Sequence, residues 1–266
     1  LRGDVAALTQ SRTGGVEVQL PATDPAARAA AQQSIQGWLA QPLTQDAAVR
    51  IALLNNPGLQ ARLAALGVAD AERVQAITLP NPHFSLGRFA NSHEREIERT
   101  LAFSPLDLIT LPWRTERQAE RLQIATLQAA QDVVTLAADT RRAWLRAVAA
   151  EQVAATHERM VEAAEAGTEL ARRMASVGNW SRLQLAREQA VLHEAHRAGA
   201  RARLAAATAR EDLNRRLGVW GKQEQYQRAA QLPPLPAAAL PTDGIEATAL
   251  RERLDVQAAR RQLDTQ

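Results

Sequence analysis

From about Pro112 to Val177 the sequence contains no helix-stopping residue stronger than the lone Gly167. At about 1.5 Å per residue, a helix of that length extends on the order of 100 Å, far beyond a helix in an ordinary globular domain. Its apolar residues must therefore meet something other than a core of its own. Leu122, Ala129, Leu136, Ala143 and Ala150 recur at heptad spacing, and Leu127, Ala130, Val134, Ala137, Trp144 and Val148 form a neighbouring stripe. Two stripes on one helix require neighbours on both sides, which suits a wall of helices better than a two-stranded coil.

The tract breaks once, at "SVGNWSRLQLAREQA" over residues 176–190. Gly178 is suited to a left-handed C-cap. Ser181 and Gln184 have capping-box spacing, and Trp180 and Leu185 have the spacing of a hydrophobic staple. The chain is thus expected to turn within about three residues into a second helix. Val191, Ala195, Ala198, Ala202, Ala205, Ala209, Leu213 and Leu217 keep one face of that helix apolar, and Gly218 ends it. The expectation is a very long antiparallel helical hairpin over 111–217, with its tip at 177–181.

Composition agrees with helix. The apolar content comes from Ala and Leu, and aromatic residues make up 3%. Alanine favours helix but buries little surface, so long, close helix contacts must supply the stability. The net charge is +3 and Lys222 is the lone lysine. Acids alternate with arginines along the helices as on a solvated face, and nothing points to nucleic acid. The chain has no cysteine, which excludes a disulfide, a thiolate metal site and a cysteine nucleophile. No apolar run approaches the roughly 20 residues of a membrane helix.

The flanks read differently. Residues 1–43 mix Gly, Pro, Thr and Gln and are expected to form an extended N-terminal arm, in which "RGD" at 2–4 is a chance match. Residues 44–79 form a first helical segment: Thr44 is a candidate N-cap, and "NNP" at 55–57 ends one helix and starts another. Leu59, Leu63, Leu66, Val74 and Ile77 follow, and the helix should stop before "LPNP" at 79–82. Within 80–110, "HFSLGRFA" and "IERTLAFS" alternate with period two around "NSHERE", predicting a β-hairpin with strands close to the roughly 9–11 residues of a membrane barrel strand. Residues 218–242 contain the proline-rich connector "QLPPLPAAALP". In 243–266, "ALRERLDVQA" at 249–258 echoes "ALLNNPGLQA" at 52–61, as if a second copy of the unit were starting.

In their order and spacing, "LTQDAAVRIALLNNPGLQARLAALGVADAERVQA", "LPNPHFSLG", "SVGNWSRLQLAREQA" and "ERLDVQAARRQL" resemble the TolC-like outer membrane efflux proteins. The resemblance covers about residues 40–266 and corresponds to the first repeat plus the opening of the second. It implies a mainly α fold that assembles as a homotrimer, with an α-helical barrel through the periplasm and a β-barrel in contact with outer membrane lipid. It also implies a passive exit duct in a tripartite efflux system, and it looks closest to the heavy-metal and multidrug efflux branch. Gly178, Asn179, Trp180, Ser181, Arg182 and Leu183 would then lie at the tip that meets a periplasmic adaptor (membrane fusion) protein and, through it, an inner-membrane pump. Gln184 departs from the Asp common in that family. Gly178, Trp180 and Ser181 also have a purely structural role as caps and staple, so Arg182 and Leu183 are the better contact candidates. A second strand pair and another pair of long helices are expected beyond Gln266.

No enzyme pattern stands out, and no cofactor is implied. "HEAH" puts His193 and His196 at i, i+3 but lacks the H-E-x-x-H spacing of a zinc site. Two other readings remain open at this stage. One is a soluble periplasmic helical-hairpin scaffold or adaptor, and the other is a periplasmic metal-binding protein using its histidines.

Overall fold

The computed structural model describes residues 1–21, 24–78, 83–90, 95–102, 105–229, 231–235, 237–238 and 243–264. The chain divides into two compact units. One comprises Leu1–Val5, Ala61–Gln131 and Thr242–Gln266, and the other Ala6–Gln60 and Asp132–Pro241. Helices α1 (Arg2–Gln10), α2 (Pro25–Leu39), α3 (Gln45–Asn55) and α4 (Pro57–Ile77) come first. Strands β1 (His83–Ala90) and β2 (Arg95–Ala102) follow, then α5 (Pro105–Ser176) and α6 (Arg182–Leu217). A 3-10 turn at Gly221–Glu224 precedes α7 (Ile245–Glu252) and α8 (Leu254–Asp264).

Helix α5 runs for 72 residues and α6 for 36. Within the second unit they are antiparallel. Arg216 pairs with Asp139 at 2.8 Å, and towards the tip Thr168 donates to the Glu188 carbonyl at 3.3 Å. Between these points Gly199 is buried, and a Cβ there would sit 3.3 Å from Val161 Cγ2. The absent side chain lets the two backbones approach closely. Helix α5 starts about seven residues earlier than the sequence indicates. Pro105 lies in its first turn, and Pro112, near which the sequence places the start, lies inside the helix.

The core of this unit lies at the α6 C-terminal end of the hairpin. Ile51, Ala52, Trp144, Val148, Leu213 and Leu217 are buried together, and Ile35, Leu43 and Tyr226 close over them. The indole Nε1 of Trp144 donates to the Leu43 carbonyl at 2.9 Å, while the Leu43 amide donates to the Gln227 carbonyl at 2.8 Å. The "NNP" break gains a second use here. Asn55 Nδ2 donates to the carbonyls of Leu217 (3.1 Å) and Gly218 (2.8 Å), and Asn56 Nδ2 to that of Arg216 (2.9 Å). The two amides thereby satisfy carbonyls that the end of α6 leaves without intrahelical donors.

Residues 1–43 are not an extended arm. They carry two helices, and α2 has a clear start signal: Asp24 accepts from the Ala27 amide and Pro25 occupies the first turn. Ile35 on α2 is fully buried, so the helix is held by packing that polar composition conceals. The stretch after Gly218 is also more than a connector, because Val219 and Tyr226 belong to the core.

In the first unit β1 and β2 pair antiparallel, with Phe84 opposite Leu101 and Leu86 opposite Arg99. The prolines at 80 and 82, and the turn "NSHE" at 91–94, lie outside the described residues. In the same unit Arg261 of α8 pairs with Glu120 of α5 at 3.1 Å. The α7–α8 joint repeats the α3–α4 joint 197 residues on. Asn56 and Arg253 both cap with extended backbone (φ −66, ψ 118 and φ −66, ψ 124). Gln60 and Gln257 then make the same bond, from Nε2 back to the carbonyls of Leu54 and Arg251. The short sequence echo is therefore a conformational repeat.

Candidate functional site

The tip is built by the backbone before any side chain contributes. Gly178 sits at φ +82, and its neighbours supply the amides that close α5. The Asn179 and Trp180 amides donate to the Met174 carbonyl at 2.9 and 3.2 Å. Nothing lies within 4 Å of a Cβ placed on Gly178, so its left-handed backbone alone explains the glycine there. Ser181 then opens α6 with a complete capping box. Its amide donates to Gln184 Oε1 at 2.7 Å, and the Gln184 amide donates to Ser181 Oγ at 3.3 Å. Gln184 fills this role through its amide oxygen, so the cap needs no carboxylate.

Gly178, Asn179, Ser181, Arg182 and Leu183 are all exposed, while Trp180 is half-buried, as is Leu185 at the staple position. Leu183 is 61% exposed. Val177, inside the predicted tip but not among its contact candidates, is 69% exposed on the other side of the turn. Together Val177 and Leu183 give the tip two uncovered apolar side chains flanked by charge. Nearby, Arg173 Nε binds Glu169 Oε1 at 3.0 Å, and this bond, with Arg172 adding to it, holds the Glu169 carboxyl below the usual range.

Further exposed apolar residues mark α5 and α6. Val153, Met160 and Leu170 stand out on α5, and Val191 and Leu204 on α6. Val153 and Met160 are a heptad apart, and Leu170 and Val177 are another heptad pair. Of the two stripes predicted from sequence, the heptad one alternates, with Ala129 and Ala143 buried and Leu122, Leu136 and Ala150 half-buried, while in its neighbour Leu127, Ala130, Ala137, Trp144 and Val148 are buried and Val134 half-buried. Further along α5, Glu151 and Arg228 form a two-point ion pair, which holds the Glu151 carboxyl below its ordinary range.

The strand register sorts residues onto two opposed faces. Phe84, Leu86 and Arg88 share a face with Ile97, Arg99 and Leu101, while Ser85 and Gly87 share the other with Glu98 and Thr100. Phe84, Leu86, Ile97 and Leu101 are all exposed. Just beyond the strands, Leu106, Ile109 and Trp113 expose an apolar line on the first turns of α5. No helix among the described residues is long and apolar enough to cross a membrane.

His193 and His196 are both exposed on α6, and His196 Nε2 lies 3.6 Å from Glu165 Oε1. Among the described residues no group of three or more His, Asp or Glu side chains could hold a metal ion.

A 72-residue helix doubled back at a capped tip, preceded in the chain by an antiparallel strand pair and followed by a repeat of the α3–α4 joint, is the fold of the TolC-like outer membrane channels. Among solved structures, CusC aligns with a TM-score of 0.69 at 19% identity, covering 84% of this chain and 54% of its own. CusC is described in terms of folding and transmembrane channel formation. The outer-membrane channel OprN aligns at 0.66 with 22% identity, covering 87% and 55%. The CmeC outer membrane channel of Campylobacter jejuni aligns at 0.62 with 16% identity, covering 83% and 51%. This chain therefore spans about half the length of the structures it matches. No protein-family model and no curated protein matches it.

Proposed function

We propose that this chain forms part of an outer membrane channel, the passive exit duct of a tripartite efflux system that crosses the periplasm and the outer membrane. The observation that carries this reading is the strand pair: four large apolar side chains stand exposed on one face, in a chain that has the channel fold. In lipid, such a face is favourable only on a closed barrel, because every backbone amide and carbonyl must be paired. Two strands cannot close one, so further strands must join, and a homotrimer supplies them. The heptad-spaced residues left uncovered on α5 are the surfaces on which neighbouring helices would pack.

At the tip of the hairpin, Gly178, Asn179, Trp180, Ser181, Arg182 and Leu183 form the docking surface for a periplasmic adaptor protein, through which an inner-membrane pump is reached. Gly178, Ser181 and Trp180 shape it, while Arg182 and Leu183, joined by Val177, contact the partner. The full-length protein should fractionate with outer membranes and run as a detergent-stable trimer. Leu183→Asp should weaken adaptor binding by about tenfold or more, the value of one buried leucine, with helix content unchanged. A monomer that stays in the aqueous fraction would overturn the channel reading, and adaptor binding unaltered in Leu183→Asp would overturn the tip assignment.

A further inference from the structure

The exposed apolar face of the strand pair also carries arginine. Leu86 stands opposite Arg99, and Arg88 opposite Ile97, so Arg88 and Arg99 are diagonal neighbours across the two strands. Diagonal Cβ atoms lie roughly 7–8 Å apart, within reach of one another for long side chains. Both arginines are exposed, and neither takes part in an ion pair among the described residues. The described acid of the hairpin, Glu98, lies on the other face, where it accepts from Thr100 Oγ1 at 3.4 Å. Among the described side chains of the hairpin, the face with the exposed large apolar residues therefore carries both arginines, and the opposite face carries His83, Ser85, Glu98 and Thr100.

Charge complementarity and the apolar setting together limit what can cover this face. Hydrocarbon suits Phe84, Leu86, Ile97 and Leu101 but leaves two guanidinium groups unsatisfied. Guanidinium in the middle of a bilayer is costly, and that cost nearly vanishes at the interface, where the long side chain carries its charge to the headgroups. Arginine binds phosphate oxygens through a fork of parallel N–H donors, and two neighbouring forks can hold one phosphate. Both helices attach at the His83 and Ala102 ends, so Arg88 lies in the half of the hairpin nearer its turn.

Resting on the reading of the strand pair as barrel wall, we propose that Arg88 and Arg99 bind the headgroup phosphate of an anionic lipid in the leaflet on the turn side of the hairpin, with the lipid's chains lying on the neighbouring apolar side chains. The occupant is a lipid rather than free phosphate, because the described residues that flank both arginines on this face are Leu86 and Ile97, with Leu101 beyond Arg99.

The test uses the full-length protein inserted into vesicles of phosphatidylcholine, with and without phosphatidylglycerol, and compares it with the double variant Arg88→Gln, Arg99→Gln. Lipid retained on the trimer is counted by native mass spectrometry, and insertion is checked by the mobility of the unheated trimer. The wild type should retain phosphatidylglycerol with a preference on the order of tenfold to thirtyfold over the double variant, the value of two arginines at an anionic surface. Inorganic phosphate should not displace the lipid. Equal retention by the double variant overturns the proposal, as does displacement by inorganic phosphate. Loss of the double variant's trimer in phosphatidylcholine alone would also overturn it, because the arginines would then belong to carboxylates of a neighbouring strand. Failure of the wild type to insert into either vesicle would instead bring down the channel reading, and this inference with it.

Discussion

Tyr226 and Asn214 show how a few polar side chains hold the base of the hairpin in a chain poor in large residues. The Tyr226 hydroxyl donates to Asn214 Oδ1 at 2.8 Å, with Asn214 only 2% exposed and Tyr226 7%. Burial pushes the Tyr226 phenol from 10.0 up to about 12, against an opposing pull from Arg228 and Arg210. A raised value means that the folded state keeps the neutral phenol while the unfolded chain ionises first. The stability this gives is therefore complete below about pH 10 and is lost as pH rises towards about 12. Tyr226→Phe should cost about 1–3 kcal/mol near neutral pH, because a buried acceptor loses its donor, and should flatten the alkaline loss of stability. Denaturant melts near neutrality and again above pH 10 measure both effects. Wild-type and variant curves that stay parallel into alkali would show that the phenol is not the titrating group.

At the scale of the element, the two ends of α6 show what glycine does in two settings. Gly178, before its start, has φ +82 and open space around it, whereas Gly218, after its end, has φ +68 and a Cβ position 2.5 Å from the Asn55 carbonyl oxygen. Gly178→Ala should therefore cost only the left-handed backbone penalty, about 1–2 kcal/mol. Gly218→Ala should cost clearly more, since the α3–α4 joint must also move, and paired thermal melts would rank them. This asymmetry also marks what the sequence made legible. Gly178, Ser181 and Gln184 act within a few residues of one another, so their capping pattern could be read directly, as could the period-two strands. The grip of Asn55 and Asn56 on α6 spans about 160 positions, and nothing local announces it. The helices in 1–43 were hidden for a related reason. Ile35 and the Asp24–Pro25 start are short signals within a polar stretch, and α2 depends on a core formed by distant residues. At the tip, cap geometry was legible and the exposure of Val177 was not, because exposure depends on what the rest of the chain leaves uncovered.

For the molecule as a whole, assembly is the question raised by the apolar residues that no part of this chain covers. Val153 and Met160 are both more than half exposed on a helix whose other stripe is packed. If they face a neighbouring copy, Val153→Glu with Met160→Glu should shift the full-length protein from trimer towards monomer. The helical circular dichroism of each subunit should not change. Sedimentation velocity in detergent reads the first and far-ultraviolet spectra the second. An undiminished trimer would place the contact elsewhere on the helix. The repeated joint carries a different message. Its two copies share the bend and the glutamine that braces it, yet position 55 holds a neutral amide and the matching position 252 a carboxylate. Asn55 donates to the end of a helix, a task that an ionised Glu252, having no proton to give, cannot perform. The two joints thus share a backbone shape and differ in chemistry, and grafting the first in place of the second would keep the bend and its brace while exchanging an acceptor for a donor.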